Sequence, residues 1–295
     1  MLKVRVLTVR VLNVLMVLLA AQAAAGRQLT STPTRIISLV PSATEMLFAI
    51  GAGPRVVGVS SYDTYPPEVK RLPSVGALID PDLERILSLT PDFVVIYASQ
   101  TDLKRQLARA GIPVFEYRHE GLADVLTTIV QLGDRVGEHQ SAARLAATLQ
   151  HGLDDIKQKV AGRPRPRTLL VFGRERLALR GIYASGGVGF LNDMLEIAGG
   201  TNVFGGVKEQ NVQASTEQIL AARPDVILEV RATNESWPAG DRDAELNVWN
   251  ALASVPAVRN GRVIYLSDDR LVVPGPRIVD GVKLMAKALH PDAFR

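Results

Sequence analysis

Four histidines, His119, His139, His151 and His290, are the only imidazoles in this chain of 295 residues, and it contains no cysteine. They are scattered, without the spacing that gathers ligands onto one metal ion. His139 and His151 fall too far apart along one segment to share an ion, and only His119, after "VFEYR", lies where a cleft would form. The chain has no Gly-x-Ser-x-Gly elbow, no phosphate loop ending in Gly-Lys-Ser/Thr and no His-Glu-x-x-His pair. The Gly-rich "ASGGVGF" lacks the preceding strand and following acid of a dinucleotide fingerprint and reads as a mobile loop. What remains is the chemistry of binding. Loops that follow β-rich runs carry Pro41 and Ser42 with Thr44, Tyr62 with Asp63, Tyr97, Arg174, Tyr183, and Asp269 with Arg270. Aromatic and polar groups together suit a large ligand with flat and hydrogen-bonding surfaces. Arg174 and Arg270 favour anionic groups on it, through charge-assisted hydrogen bonds. Each residue also has a plain structural alternative: a tyrosine packed under its loop, or an arginine paired with Glu175, Asp268 or Asp269.

The elements that must position these residues occur twice. "LERILSLTPDFVVI" (83–96) returns as "TEQILAARPDVILEV" (216–230), with Glu, Ile, Leu, Pro and Asp at matching offsets. Each copy is preceded by a basic residue feeding a β-rich run, "RIISLVPS" and "RTLLVFGR", and then by a helical pattern closing on glycines, "ATEMLFAIGAG" and "FLNDMLEIAGG". Within the repeat, apolar residues at helical intervals give way after Pro-Asp to β-branched runs, so helix, turn and buried strand are predicted. Strands alternating with helices imply parallel sheets covered on both faces. Two related α/β lobes are therefore expected, each with its own core. Between them, residues 138–162 are good helix formers with Leu145, Leu149, Leu153, Ile156 and Val160 on one stripe, long enough for a stiff connector about 36 Å long at 1.5 Å per residue.

The N-terminus reads differently. Lys3, Arg5 and Arg10 precede an apolar run and then "AAQAAAG", with two A-x-A patterns ending at Ala23 and Ala25, the pattern of a secretory signal peptide over residues 1–25. The apolar core is shorter than the roughly 20 residues a membrane span takes. Removing those three cations lowers the formal net charge from +4 to +1. No concentrated basic face remains for a nucleic acid, since "GRPRPR" is only a short linker. Without cysteine there is no disulfide and no lipidated N-terminal Cys, so a soluble periplasmic monomer is expected. The full chain, with 47% hydrophobic and 22% charged residues, has material for a folded core and two domains.

With those residues in view, the chain resembles the periplasmic binding proteins of ABC importers for vitamin B12, iron-siderophores and haem. The carriers are "RIISLVPSATEMLFAIGAG", "VVGVSSYDTYPPEV", "LERILSLTPDFVVI", "LLVFGR", "LEIAGGTNVF", "STEQILAARPDVIL" and "GRVIYLSDD", in order over Arg35 to Leu289. The resemblance implies an α/β fold of two Rossmann-like lobes with parallel-type sheets (34–138 and 163–291), one long backbone helix (139–162) and a ligand cleft between the lobes. It implies a receptor rather than an enzyme; the rigid connecting helix predicts only modest lobe closure, and with no metal-ligand set of the protein's own any metal is expected to enter inside the ligand, with no cofactor besides. It also implies that Glu84 and Glu217 pair with arginines of the membrane permease. The same two residues suit the first turn of a helix, where a carboxylate favours the dipole by about 0.3–1 kcal/mol.

The pattern departs from the B12 binders of the enteric type at Leu78 and Arg270, where those carry tryptophans. Lost aromatic surface and a gained cation shift the expectation toward a carboxylate- or catecholate-bearing siderophore or haem. Trp249, in register with Leu246 and Leu252, is expected in the core; Trp237, in a polar loop before Pro238, is expected at a cleft rim or as a loop plug. The alternative to a transport receptor is an exported enzyme or sensory module on the same fold, which the missing catalytic constellation and the paired glutamates disfavour.

Overall fold

The computed structural model describes residues 32–118, 120–238 and 240–295. The signal-peptide reading and His119 lie outside the described residues. The N-terminal lobe runs β1 (Ile36–Ser38), α1 (Pro41–Ala49), β2 (Val56–Val59), α2 (Leu83–Ser88), β3 (Phe93–Tyr97), α3 (Thr101–Arg109), β4 (Val114–Tyr117) and α4 (Leu122–Val136). Its sheet, in the order β2-β1-β3-β4, is parallel throughout. The apolar runs of β1 and β3 fit this place, because helices cover both faces and leave no solvated side.

Helix α5 (His139–Val160) follows and buries Ala142, Leu149, Leu153, Ile156 and Val160. The C-terminal lobe then runs β5 (Arg167–Gly173), β6 (Ile182–Ser185), α6 (Phe190–Ile197), β7 (Thr201–Asn202), β8 (Asn211–Ala214), α7 (Thr216–Ala222), β9 (Val226–Arg231), α8 (Arg242–Asn247), α9 (Pro256–Arg259), β10 (Val263–Ser267) and α10 (Ile278–Leu289). Strands β10, β9, β5 and β7 pair in parallel, whereas β6 runs antiparallel to β5 and to β8. The parallel-sheet expectation thus covers only part of this lobe. The segment from β5 to β6 is too short to hold the crossover that a parallel pair needs, so the chain turns back on itself.

The repeat has a structural meaning that is the same in both lobes. After α2, Thr90 takes a left-handed backbone with φ of 47°; after α7, Arg223 takes φ of 46°. Non-glycine residues seldom adopt this conformation, which costs about 1–2 kcal/mol, and here the following Pro-Asp holds it. The Asp92 carboxylate accepts from Thr34 N (2.8 Å) and Arg35 N (2.9 Å), and the Arg35 guanidinium donates to the Leu89 carbonyl at 2.6 Å. Likewise Asp225 accepts from Arg167 N at 3.0 Å, and Arg167 donates to the Ala222 carbonyl at 2.9 Å. Each clamp ties the end of a short helix to the start of its lobe's first strand. Burial alone would raise the Asp92 pKa, but the hydrogen bonds from Thr34 and Arg35 hold it below the usual range. A second repeated device ends α1 and α6: Gly51 and Gly199 sit at φ of 99° and 84°, and the N–H groups of Ala52 and Gly200 reach back to the carbonyls of Leu47 and Leu195.

The expectation of one core per lobe is corrected by the packing. The largest buried cluster runs from Ile36, Met46 and Ile129 through Leu149, Leu153 and Ile156 of α5 to Leu170, Met194, Leu228 and Met285. Helix α5 is buried along one stripe against α4, α6 and α10, so it belongs to the shared core. Smaller clusters fill the outer faces, around Ile37, Ile86 and Leu107 in one lobe and around Leu169, Ile219 and Trp249 in the other.

Candidate functional site

The carboxyl ends of the strands in each lobe open into a cavity, the place where loops of α/β sheets gather ligands. In the N-terminal lobe a cavity of about 520 Å³ is lined by Leu39, Pro41, Ser60, Tyr62, Leu78, Ile79 and Tyr97, among others. Its rim is apolar and open: Ile79 is 94% exposed and Tyr62 68%. A carboxylate is held behind Ser60 of this lining. Asp63 accepts from Ser60 N at 2.8 Å and is hydrogen-bonded by Thr44, while its Oδ1 is buried without a partner. Burial pushes the Asp63 pKa up to about 7, against the pull of those hydrogen bonds. Tyr97, edge-on to Tyr117 at 5.9 Å, has its pKa pushed up to about 12 by burial and then by the charges of Tyr117 and Asp63. Its phenol stays protonated.

The C-terminal lobe carries a cavity of about 510 Å³, lined by residues that include Phe172, Val188, Phe190, Gln210, Asn211, Arg231, Glu235 and Val272. Arg231 ends β9 and lies with its guanidinium 4.8 Å from the centre of the Trp237 ring. Among the described residues Arg231 forms no ion pair, and its buried Nε donates to nothing.

The two cavities open beside the seam where the lobes meet. Across it, Phe190 N donates to the Glu120 carbonyl at 3.1 Å and Leu122 N to Asp193 Oδ2 at 2.8 Å. The principal link is an ion pair 232 residues apart in sequence: Arg277 donates from Nε and Nη2 to the two oxygens of Glu45 at 2.9 and 2.5 Å. Glu45 sits one turn beyond Pro41 and Ser42, and its side chain is only 4% exposed. Arg277 also stacks on Tyr65, 4.1 Å from the ring centre. Burial pushes the Glu45 pKa up, and Arg277 only partly brings it back.

Of the sequence candidates, Pro41, Tyr62 and Tyr97 line the first cavity. Ser42 lies beneath, buried and hydrogen-bonded with Tyr117. Tyr183 is exposed on β6, its ring 6.4 Å from Phe172 of the second cavity. Asp269 accepts from Thr233 N at 2.8 Å, and its charge helps to raise the Glu45 pKa at the seam. Arg270 is tied bidentately to Asp268, at 2.8 and 2.5 Å, so its charge is already balanced.

Arg174 is corrected outright. Its side chain is fully buried, donating to Glu229 Oε1 at 2.8 Å, Glu245 Oε2 at 3.0 Å and the Glu245 carbonyl at 2.6 Å, with its guanidinium carbon 4.7 Å from the Trp237 ring centre. The signal for this was Glu229, a carboxylate inside the β-branched run of β9, which must find a buried cation. Trp249 closes the same network, donating Nε1 to Glu229 at 2.5 Å. Trp237 is the plug of its loop, stacked on Tyr265 at 4.6 Å. The cation that lines the cavity is instead Arg231, marked in the sequence only by its place after Val230 at the strand end of "VILEVR".

Glu84 and Glu217 are both exposed in the first turns of α2 and α7. Those helices are capped by Asp82, which accepts from Arg85 N at 2.9 Å, and by Ser215, which accepts from Gln218 N at 3.2 Å. Hydrogen bonds from its own backbone N–H and from Ser215 hold the Glu217 carboxyl below its usual range. Among the described residues no group of three metal-ligating side chains converges, and no helix is long and apolar enough to cross a membrane.

Two lobes of strand-end loops around a seam define a solute-binding receptor, and comparison with known proteins agrees. The periplasmic binding protein family model matches residues 36–270, and the chain belongs to that family, whose members are transport components rather than enzymes. A vitamin B12-binding protein of Salmonella typhimurium is 31% identical over 257 residues, covering 86% of this chain and 90% of that one. An uncharacterized ABC transporter substrate-binding lipoprotein, YvrC of Bacillus subtilis, is 31% identical over 270 residues, 89% and 82% of the two chains. The periplasmic heme-binding protein RhuT of Roseiflexus superposes with a TM-score of 0.71 at 27% identity, covering 88% and 98%.

Proposed function

We propose that this protein is the periplasmic receptor for a metal chelate of the corrinoid, haem or ferric-siderophore class, which it delivers to an ABC permease. The flat organic shell rests on Tyr62, Leu78, Ile79 and Tyr97, and an anionic or acceptor edge meets Arg231. The observation that carries this reading is Arg231: a cation that forms no ion pair among the described residues, with its buried Nε unbonded, in a cavity whose wall is mostly apolar apart from Gln210, Asn211 and Glu235. A guanidinium so placed gains a charge-assisted hydrogen bond from a ligand carboxylate, catecholate or phosphate. The ligands named for the Salmonella and Roseiflexus proteins support the same class. The metal travels inside its chelate, the protein acts as a monomer, and Glu84 and Glu217 meet the permease at the inner membrane.

Tryptophan emission tests it, because Trp237 touches Arg231 and cobalamin, haem and ferric chelates absorb at its wavelength. Titration with cyanocobalamin, haem and ferric siderophores should give saturable one-to-one quenching by one class. Arg231→Ala should weaken that binding at least about tenfold, as expected for loss of a charge-assisted pair. Absence of quenching by every class would overturn the ligand assignment; unchanged affinity in R231A would remove its anchor.

A further inference from the structure

Among the described residues the most exposed large apolar side chain is Ile79, at the tip of the turn 76–81 that walls the first cavity. Burial does not hold that tip in place: Ile79 and Leu78 are both exposed, and only Ala77 is packed. The base of the turn is anchored, by Ser61 N on the Gly76 carbonyl at 2.9 Å and by Asp82 N on the Val75 carbonyl at 3.0 Å. Its tip has only the Ala77 N–H on the Asp80 carbonyl, at a long 3.4 Å, and the N–H groups of Leu78 and Ile79 donate to nothing among the described residues. What reaches the tip is Gln100, a buried side chain just before α3 that does not itself line the cavity. Its Nε2 donates to the carbonyls of Ala77 at 3.3 Å and Leu78 at 3.1 Å, while its Oε1 accepts from Tyr97 N at 3.0 Å. Turning the carboxamide over would lose all three bonds, so its orientation is fixed. Among the described residues no other side chain hydrogen-bonds residues 77–80.

We propose that Gln100 is the positioning residue of this cavity: one carboxamide ties the turn carrying Leu78 and Ile79 to the strand end carrying Tyr97, and so fixes the spacing of two walls of a slot for a flat ligand. This rests on the reading that the cavity takes the organic shell of a chelate, and it adds how the wall is held ready for one. A wall already in place loses little freedom when the ligand arrives, which is the gain of preorganisation. Gln100 touches no ligand in this role; it acts through Leu78, Ile79 and Tyr97.

Two substitutions separate the halves of the link. Gln100→Glu keeps the acceptor for Tyr97 N and loses the donor for the turn, whereas Gln100→Met loses both. Backbone 15N relaxation reads the turn without any ligand: order parameters at Leu78 and Ile79 should stand near the rigid value of about 0.85 in the wild type and fall below about 0.6 in both variants at pH 8, with β3 and α3 unchanged. In titrations with cyanocobalamin, haem and ferric siderophores, both variants should bind the probe that quenches the wild type about tenfold more weakly. Near pH 5 the carboxyl introduced by Q100E, buried against two carbonyls, takes up a proton and can donate again. Q100E should then regain order and affinity, measured against wild type at the same pH because Asp63 also titrates, while Q100M should not. Unchanged order at Leu78 and Ile79, or an affinity loss in Q100E that acid does not reverse, would refute the positioning role. Wild-type protein that binds none of the probes would overturn the chelate reading and the slot with it, an outcome the relaxation data tell apart from a failure of the link itself.

Discussion

Replacing Arg277 by Met leaves Glu45 as a buried carboxylate with no cation at the seam of the lobes. The side chain is 4% exposed, and it cannot swing clear, because the backbone at Gly275 lies against it: a Cβ there would stand 3.0 Å from Glu45 Oε2. Removing one partner of a buried pair costs about 3–5 kcal/mol. Arg277 itself is 21% exposed, so water reaches one side of the pair, and a loss of about 3 kcal/mol is expected at the lower end of that range. For a chain of this size that corresponds to a fall in Tm of about 6–12 °C. Neutralising both partners, Glu45→Gln with Arg277→Met, should recover most of it. The pH dependence gives the sharper test. With Arg277 gone, burial and then the charge of Asp269 act on Glu45 unopposed, so its folded pKa rises further above the unfolded value. A carboxyl raised in this way is destabilising only where the unfolded chain would have released the proton. The deficit of R277M relative to the double variant should therefore be small near pH 4.5 and full at pH 8. Urea melts at the two pH values measure this. A single variant within 1 kcal/mol of the parent at pH 8, or a deficit that is the same at both, would refute an electrostatic joint.

Asp63 follows the same sign rule: the unfolded chain loses its proton near 3.9 and the folded one near 7, so wild-type stability should fall across that window by up to about 4 kcal/mol. Asp63→Asn should flatten the slope in urea melts between pH 4.5 and 8; an unchanged slope would place the titration elsewhere. Asp92→Ala and Asp225→Ala each remove one strand-to-helix clamp at a partly exposed site, and each should lower unfolding stability by about 1–2 kcal/mol. Lying in different lobes, the two losses should add to within about 0.5 kcal/mol in the double variant, and strong coupling would argue against two independent clamps.

The duplicated helix, the Pro-Asp break and the strand after it were legible because they are local: period, breaker and β-branched run lie within fifteen residues of one another. The long helix was legible for the same reason. What the sequence concealed was pairing over distance. Arg174 and Arg231 are both strand-end arginines, and nothing local says that one is swallowed by Glu229 and Glu245 while the other forms no ion pair among the described residues. The antiparallel β6 and β8 were hidden likewise, since direction is set by the length of a connection and not by the residues in the strand. Among the tyrosines, Tyr62 and Tyr97 reach a cavity and Tyr183 stands beside one, a distinction of a few ångströms that spacing does not encode.

The buried joint between Glu45 and Arg277, and the apolar cluster threaded through the connecting helix, make the two lobes halves in ancestry but not in thermodynamics. A cut after residue 138 would strip α5 from α4, bare one member of the ion pair in each fragment, and leave neither fragment a closed core. Residues 34–295 are then expected to fold as one unit, and a ligand that touches only the rim should stabilise everything behind it. Grafting one lobe onto a different second lobe, to recombine binding faces, would fail at the seam before it failed at the site.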